Sequence, residues 1–556
     1  MRLSFFSTIN REVHGMHQAA YLLAAFAFAS QLLALLRDHL LAASFGTGHV
    51  LDLYYAAFRI PDFLFATVAT LLSLYALLPI LSKVEDAHPG QMASFLRGAL
   101  LLFFIVMGCL AGVLYIWTPV LVHFIAPGLT SPLLIPLVRI LLLQPILLGA
   151  SNTVASLTQL RHRFVLYSIS PLLYNLGIIF GIIVLYPHLG IVGLGWGVII
   201  GAFLHLFIQI PFFTAEKIET PMPWKDMIYA LKHVLALSVP RTLVLASTQI
   251  TILVLVALAS FFATGSISVF MFAYNLQAVP VTIIGLSYSI AAFPTLARLH
   301  ARGQRADFIK HIEAALRHTM LWSILTTIFV IVLRAQLVRV ILGAGAFDWT
   351  ATRLTAAALA LFILSLLGQN ATLLISRAYY AAGNTVRPLL YGISDIVVSV
   401  CSALFCIWIF QHYLPVRAFV ESLLRVDDVP GTIVLTLAFG YALGSIVEFL
   451  IGFFFFVRDF SLPLRRLGRL CFEIFSASVL GAAVSYGLLA ATGSLVNINT
   501  TLGVAIQGSA AGLAGLLVTV FILSVLGNAE LKETISALKR RFSPDAVALE
   551  PTDIAS

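Results

Sequence analysis

Long apolar runs separated by short polar connections recur along the whole chain. Each run holds about 20 residues or more with few charges, which is the length that an α-helix needs to cross the hydrocarbon core of a bilayer. The pattern predicts an all-α polytopic membrane protein with about fourteen transmembrane helices. The predicted spans are 17–45, 49–83, 91–119, 131–160, 165–186, 190–214, 232–262, 266–297, 312–342, 351–382, 386–411, 430–457, 467–492 and 500–527.

Short motifs repeat at an almost constant distance along these runs. Pro-Leu-Leu-Tyr occupies 171–174 and 388–391, and Thr-Gly occupies 47–48 and 264–265, so the copies are 217 residues apart in both cases. Six predicted spans separate the copies, which therefore have the same orientation in the membrane. We expect two six-helix lobes related by a parallel pseudo-twofold repeat, with two extra C-terminal helices. The predicted divisions are 1–220 and 221–460 for the lobes, 461–527 for the added helices and 528–556 for a cytoplasmic tail.

Composition supports a membrane location and argues against a nucleic-acid partner. The chain is 60% hydrophobic and 10% charged, and its formal net charge is +9. The basic residues are dispersed over alternate connections instead of forming one patch. By the positive-inside rule this places both termini in the cytoplasm. The first apolar run is too long for a cleavable signal peptide.

The first two predicted spans carry five charged residues. Arg37 and Asp38 lie in the first span, and Asp52, Arg59 and Asp62 share one helix face in the second. An unpaired charge at mid-bilayer costs roughly 2.5–3.5 kcal/mol, so such residues usually face a cavity or a partner. The pattern predicts a polar chamber, although Arg37 and Asp52 are also candidates for interfacial residues that reach the headgroups.

Spans seven and eight are also polar. Arg241 follows Pro240, and the other polar residues there are Thr242, Thr248, Gln249, Thr251, Tyr274, Asn275, Gln277 and Tyr288. The planar fork of arginine suits phosphate oxygens, so Arg37, Arg59 and Arg241 together predict a site for an anionic ligand such as a diphosphate. The three aspartates of the first two spans would orient these arginines. The alternative is a purely structural network of neutralised pairs.

Several other features have two interpretations. Asp395 and Glu448, in spans eleven and twelve, are candidate ligands for a coupling cation or proton, and equally candidates for hydrogen-bonded contacts between helices. His205 and Gln209 favour a packing hydrogen bond. Two small residues, Gly508 and Gly512, predict a helix-packing face. Three prolines, Pro61, Pro240 and Pro280, predict interrupted helices, or equally are prolines that membrane helices tolerate.

Enzyme chemistry has little support in the sequence. The chain contains no nucleophile elbow, no Walker loop and no Cys/His spacing typical of zinc sites. Its four cysteines are scattered through apolar runs. We therefore expect a non-enzyme without a metal or other cofactor.

The motifs resemble a known family, the lipid II flippases of the MurJ/MviN type, in the multidrug/oligosaccharidyl-lipid/polysaccharide exporter superfamily. The matching segments are Arg37-Asp38, AFRIPD (57–62), LTQLRHRF (157–164), GIVGLGWGVIIGAFLHLFIQIP (190–211), AAFPTLARL (291–299), GAGAFDW (343–349) and RAYYAAGNTVRP (377–388). The resemblance implies a bacterial cytoplasmic-membrane protein with two six-helix lobes around a central cavity. It also implies a groove for the lipid tail at the two added helices.

Some positions depart from the family pattern. Gln31 stands where the family has an arginine seven residues before Asp38, and Tyr274 and Asn275 stand where it has Asp-Arg. Gln31 and Asn275 remain in the predicted substrate-binding set, and Arg241 is our candidate to replace a missing cavity arginine. Family positions carry over at Arg37, Asp38, Asp52 and the basic position Arg59. Further replacements are Ala34, Phe65, Ala66, Thr70 and Ala278.

The resemblance implies movement of undecaprenyl-diphosphate-linked peptidoglycan precursor between leaflets by alternating access. The expected partners are this precursor, membrane lipids and a coupling cation or proton. Two alternatives remain: export of another lipid-linked polysaccharide or a small drug, and a membrane enzyme acting on polyprenyl-linked sugars. A drug exporter would need little arginine, and such an enzyme would need a catalytic carboxylate and usually a sizeable outer domain.

Overall fold

The computed structural model describes residues 16–542 except 73–76, 78–80, 82–83, 85–89, 162, 216–219, 462–463 and 494–499. Within its helices, the side chains of 16–21, 72, 237, 240–241, 464–466, 537–538 and 540–542 also lie outside the description. The described residues form helices and connections, with no β-strand among them. This confirms the predicted all-α fold class.

The α-helices of the described residues are numbered here in chain order. They are α1 (Met16–Phe45), α2 (His49–Ala57), α3 (Arg59–Thr67), α4 (Met92–Ile125), α5 (Leu134–Leu141), α6 (Leu143–Leu160), α7 (Phe164–Phe180), α8 (Tyr186–Leu189), α9 (Ile191–Phe207), α10 (Ile210–Ala215), α11 (Trp224–Ala259), α12 (Ser266–Pro280), α13 (Ser287–Ala301), α14 (Arg305–Leu342), α15 (Trp349–Phe362), α16 (Leu366–Ala381), α17 (Val386–His412), α18 (Leu414–Leu424), α19 (Leu435–Phe460), α20 (Leu464–Thr492), α21 (Thr501–Val525) and α22 (Ala529–Phe542).

Thirteen helical stretches in the described residues are long and apolar enough to cross a membrane. Each of them overlaps one predicted span, and together they account for every predicted span except the second, 49–83. Part of that second span lies outside the described residues. Hydropathy locates the spans because a helix in lipid must satisfy all its backbone hydrogen bonds internally.

The three prolines predicted to interrupt helices behave differently. The helix breaks at Phe58, between α2 and α3, where Pro61 cannot donate a backbone hydrogen bond to the carbonyl of Ala57. At Pro280, α12 ends and a π-helical segment, Val281–Leu286, begins. At Pro240 the helix is not interrupted, because α11 continues through this position to Ala259, as expected for a proline that a membrane helix tolerates. Neighbouring packing can hold a membrane helix together at a proline.

The chain divides into two compact units, which are described separately. Unit 1 comprises the described residues within 1–276, 341–361 and 385–448, and unit 2 comprises those within 277–340, 362–384 and 449–556. In unit 1, α7 packs against α1 and α9, and α11 packs against α3 and α17. In unit 2, α20 packs against α21, and α13 packs against α16. The predicted lobes, 1–220 and 221–460, stay a prediction.

Glycines allow α7 and α9 of unit 1 to approach backbone to backbone. A Cβ added at Gly177 on α7, or at Gly181 directly after it, would collide with Gly201 or Gly197 on α9. A Cβ at Gly201 would also collide with the backbone of Tyr174. Close helix packing through small residues is the main source of helix association in lipid, where the hydrophobic effect is weak. This contact fixes α7, which carries residues of the candidate site.

We therefore expect Gly201→Val to destabilise the protein by about 1–3 kcal/mol, the usual cost of overpacking. Gly112→Val is the matched control, since a Cβ at Gly112 on α4 has no atom within 4 Å. Thermal unfolding of the purified variants in detergent measures the effect. Equal transition temperatures for the two variants would contradict the packing role of Gly201.

In unit 2 the predicted small-residue face of α21 is confirmed as a packing surface. A Cβ at Gly508 would lie 3.0 Å from the Cβ of Gln336, and one at Gly512 would lie 3.0 Å from Leu333, both on α14. A second face of α21 meets α20, where a Cβ at Gly481 or Gly515 would collide with the other helix. The two C-terminal membrane helices therefore pack tightly within unit 2.

Candidate anion-binding site

Arg37 on α1 is held by two neighbours in unit 1. Its Nε donates to Asp38 Oδ1 at 2.9 Å, and its Nη1 donates to Asn175 Oδ1 on α7 at 3.2 Å. The Nη2 atom lies 2.8 Å from the same Asp38 oxygen. These contacts engage three of the five N–H donors of the guanidinium within the described part of the chain. The Arg37 side chain is 21% exposed and that of Asp38 is 8% exposed, so the cation is the more accessible partner.

Asn175 and Asn275 extend this pair to neighbouring helices. The Nδ2 of Asn175 donates to Ser30 Oγ at 3.5 Å, so Ser30 and Arg37 on one stripe of α1 share the same asparagine. The Nδ2 of Asn275 on α12 donates to Asp38 Oδ2 at 3.3 Å. The structure thus brings Asn275 to the Arg37–Asp38 pair, although the family pattern differs at this position.

Arg59 and Asp62 form a second pair beside the helix break. The Nη2 of Arg59 donates to Asp62 Oδ2 at 3.1 Å, and its Nε donates to the Tyr55 carbonyl at 3.1 Å. The guanidinium therefore satisfies a carbonyl near the end of α2, where the break at Phe58 removes helical donors. Arg59 is buried and Asp62 is partly exposed, so here the carboxylate is the more accessible group.

A layer of tyrosines connects the two pairs. Tyr174 on α7 lies near both Arg37 and Asp62, and Tyr54 on α2 does the same. Tyr174 also accepts a hydrogen bond from Gln144 Nε2 at 3.3 Å, through its hydroxyl oxygen. The two arginine–aspartate pairs therefore belong to one buried polar region of unit 1.

Asp52 has different partners from those predicted. Its Oδ2 accepts from the Gly265 backbone N–H at 2.6 Å, and its Oδ1 accepts from the Ser268 N–H at 2.8 Å and the Ser268 hydroxyl at 2.7 Å. The carboxylate thus caps the amino end of α12, where unsatisfied N–H groups and the helix dipole attract negative charge. The expectation that Asp52 orients an arginine is corrected to this capping role.

The cap belongs to a group of turns that we call the turn cluster, residues 43–48, 264–268 and 341–346. Gly265 has a φ of +95°, and a Cβ there would collide with the Thr47 carbonyl, so the two copies of the Thr-Gly repeat meet directly. The Ala346 N–H donates to the Ala43 carbonyl at 2.8 Å. The ring of His39 donates from Nδ1 to the Ile341 carbonyl at 2.7 Å. Backbone contacts therefore join three turns that are far apart in sequence.

The structure also brings Asp395 and Glu448 together. Asp395 on α17 accepts from Thr251 Oγ1 at 2.9 Å and from Ser399 Oγ at 3.2 Å. Glu448 on α19 interacts electrostatically with Asp395. Asp395 is buried and Glu448 is half-buried, and two neighbouring carboxylates repel each other when both are ionised.

The remaining predicted residues are placed as follows. Gln31 lies half-buried on α1. Arg241 belongs to α11, and its side chain lies outside the described residues. The next residue, Thr242, contacts Thr70 through the two hydroxyl oxygens at 3.3 Å. His205 and Gln209 both contact Ser151, which confirms the predicted packing hydrogen bonds.

Sequence reasoning missed Asn175 and Tyr174, both of which contact the site. The signal was present, since Tyr174 ends the first Pro-Leu-Leu-Tyr copy and Asn175 is a lone amide within an apolar span. A buried amide usually has hydrogen-bond partners. In the described residues, no group of three or more His, Cys, Asp or Glu side chains is arranged to hold a metal ion.

Comparison with known families identifies the fold and the family. A sequence profile described as "Lipid II flippase MurJ" matches residues 41–415, about two thirds of the chain. The chain belongs to the lipid II flippase MurJ family. The match covers the Arg59–Asp62 pair, the turn cluster and Asp395, and it begins four residues after Arg37.

The matches to relatives with this family name cover most of each relative's length. The Burkholderia cenocepacia protein "Lipid II flippase MurJ" is 24% identical over 400 residues, 69% of this chain and 77% of the relative. The Thermotoga maritima protein "Probable lipid II flippase MurJ" is 23% identical over 464 residues, 77% of this chain and 93% of the relative.

Solved structures agree with the MurJ fold. A structure described as "Lipid II flippase MurJ, inward closed conformation" has a TM-score of 0.69 at 22% identity, covering 91% of this chain and 98% of the other. An inward-facing multidrug resistance MATE family transporter of the MOP superfamily has a TM-score of 0.64 at 15% identity, covering 83% and 97%. At these identities the likeness concerns the fold.

Proposed function

We propose that the protein is a lipid II flippase that moves undecaprenyl-diphosphate-linked peptidoglycan precursor from the inner to the outer leaflet of the bacterial cytoplasmic membrane. The observation that carries the proposal is the MurJ family match over residues 41–415, and the two arginine–aspartate pairs of unit 1 support it. A polyprenyl diphosphate needs a polar, cationic place inside an otherwise apolar protein, and these pairs supply it. No covalent step is part of this function.

Arg37 and Arg59 bind the diphosphate in this proposal, with Arg241 as a third cation. Asp38 and Asp62 hold the guanidinium groups in position while the site is empty and exchange partners when the anion arrives. Asn175 supports this role for Arg37, because it keeps the guanidinium in place from a second helix. Gln31 and Asn275 add neutral hydrogen-bonding groups for the sugar-peptide head.

Alternating access then requires the turn cluster to open. The charge distribution of the connections supports cytoplasmic termini, which puts the turn cluster on the outer side. In the arrangement described here, backbone contacts and the Asp52 cap join the three turns, and in this proposal they belong to the closed state of the outer side. Release to the outer leaflet would break the Asp52 bonds to Gly265 and Ser268.

Asp395 and Glu448 supply the coupling step in this proposal. Binding of a proton or cation between them removes their mutual repulsion and biases the conformational equilibrium by its differential affinity for the two states. The hydroxyl groups of Thr251 and Ser399 orient Asp395 for this purpose.

Asp395→Asn should therefore abolish the dependence of transport on an imposed proton or sodium gradient. Transport by reconstituted protein is measured with each gradient in turn. Asp307→Asn is the matched control, because Asp307 is an exposed carboxylate in the first turn of α14. Unchanged gradient dependence in Asp395→Asn would remove this residue from the coupling site.

Complementation tests the function itself. A bacterium depleted of its own lipid II flippase should grow when it expresses this protein. Absence of growth with a well-inserted protein at normal membrane levels would point to a different lipid-linked substrate.

A further inference from the structure

A short helix, α18, lies between two membrane helices and buries none of its residues. It follows α17 after one residue and precedes the helical turn Thr432–Val434, which leads into α19. Its 11 residues span roughly 16 Å, far less than a bilayer, so it does not cross the membrane. An apolar helix of this length in a connection needs another explanation.

The two faces of α18 differ in character. Val416, Phe419 and Leu423 lie on one face and are 44%, 67% and 65% exposed. On another face, Arg417 Nε donates to Glu421 Oε1 at 2.8 Å, and Glu421 accepts a hydrogen bond from the hydroxyl of Thr432. Glu421 is thus turned toward the protein, Arg417 stays partly exposed, and Phe419 and Leu423 are turned away from the protein.

The loop that follows α18 is fixed to α15. Arg353 donates to both carboxylate oxygens of Asp428, at 2.9 and 2.6 Å, and its Nε donates to the Arg425 carbonyl at 3.1 Å. Together with the Glu421–Thr432 contact, these bonds set the orientation of α18. Its apolar face therefore stays exposed as part of a defined arrangement.

This apolar face continues a surface that meets lipid. Leu404, Phe405 and Trp408 on the membrane helix α17 are exposed, and the Trp408 ring lies 5.5 Å from that of Tyr413, directly before α18. Trp and Tyr concentrate where the hydrocarbon region meets the headgroups. The start of α18 therefore lies at the depth of that interface.

We propose that α18 is an interfacial helix that binds phospholipid, with Val416, Phe419 and Leu423 inserted at the boundary of headgroups and acyl chains. A helix with one apolar and one charged face lies in this plane because its apolar face reaches the acyl chains while its charges stay hydrated. With the topology of the proposed function, the leaflet is the outer one, into which the transported lipid is released. The helix anchors the outer ends of α17 and α19, which carry Asp395 and Glu448, to that leaflet.

Site-directed spin labelling in phospholipid vesicles tests this assignment. Single cysteines replace Phe419, Leu423 and, as the matched control, Ala418, in full-length protein whose four native cysteines are substituted. Ala418 is exposed like Phe419 but lies on a different face of the same helix. We expect labels at 419 and 423 to collide more with oxygen than with a water-soluble nickel chelate, and the label at 418 to show the reverse.

Two outcomes would overturn the proposal. Equal nickel accessibility at all three positions would show that the face lies in water. Low accessibility to both reagents at 419 and 423 would show that protein, such as a second copy of the chain, covers the face. Reaction of the cysteine at 418 with a membrane-impermeant thiol reagent from the cytoplasmic side would instead contradict the topology of the proposed function and leave the interfacial helix standing.

Discussion

The double substitution Arg37→Gln and Asp38→Asn should abolish rescue of a bacterium depleted of its own lipid II flippase. Both residues become neutral together, so no buried charge is left without its partner, and the protein should still fold. A bound diphosphate, however, would lose the hydrogen bonds from the guanidinium group of Arg37. Two charge-assisted hydrogen bonds contribute about 3 kcal/mol or more together, so transport should fall by about a hundredfold or more. Growth and membrane levels are measured in parallel.

This substitution separates anion binding from a structural pair. If Arg37 and Asp38 only neutralise each other, the neutral variant should rescue as well as the unmodified protein, since replacing a buried pair is often tolerated. Arg469→Gln with Glu473→Gln is the matched control, because it removes a 2.8 Å ion pair from α20 in unit 2. Rescue by the Arg37–Asp38 variant at equal membrane levels would exclude this pair from substrate binding.

A disulfide between Ala43→Cys and Ala346→Cys should stop transport reversibly. The N–H of Ala346 bonds to the Ala43 carbonyl at 2.8 Å, which puts the two residues within the Cα separation that disulfides bridge. In the proposed cycle the turn cluster must open once per transported lipid. The oxidised double variant should therefore lose transport almost completely, and a reducing agent should restore it.

The single variants Ala43→Cys and Ala346→Cys, treated with the same oxidant, are the controls for this experiment. Both should retain transport, since neither can join the two turns in one molecule. Crosslinking is followed by mobility under non-reducing conditions in protein without its native cysteines. Full transport by a completely crosslinked double variant would show that the turn cluster need not open.

Local patterns in the sequence predicted thirteen of the spans that the structure shows, and aspartates that orient Arg37 and Arg59. Hydropathy locates membrane helices because lipid leaves the backbone no other partners. Arg37 and Asp38 are adjacent, and Arg59 and Asp62 are three residues apart on one helix face. The sequence alone therefore shows that the members of each pair lie close together.

Contacts over long sequence distances were not predicted. Asp52 accepts hydrogen bonds from backbone N–H groups more than 200 residues away. Backbone N–H groups are not tied to a residue type, so the sequence does not show which helix end this carboxylate caps. The role of Asn175 was not predicted either, because its partner Arg37 lies on another helix, far away in the sequence. Helix α18 was not predicted because it is much shorter than a membrane span and carries both apolar and charged residues.

The most direct test of the central claim is lipid movement in vesicles that contain only this protein. Lipid II with a fluorescent headgroup label is mixed into the bilayer, and a membrane-impermeant quencher is added outside. The unmodified protein should carry labelled lipid II from the inner to the outer leaflet, where the quencher reaches it. Vesicles with the Arg37→Gln, Asp38→Asn variant should lose no more fluorescence than protein-free vesicles. A phospholipid with the same label should stay protected. If the unmodified protein leaves the inner pool of lipid II protected, or if both proteins expose it equally, the account of a flippase with an arginine-based diphosphate site is contradicted.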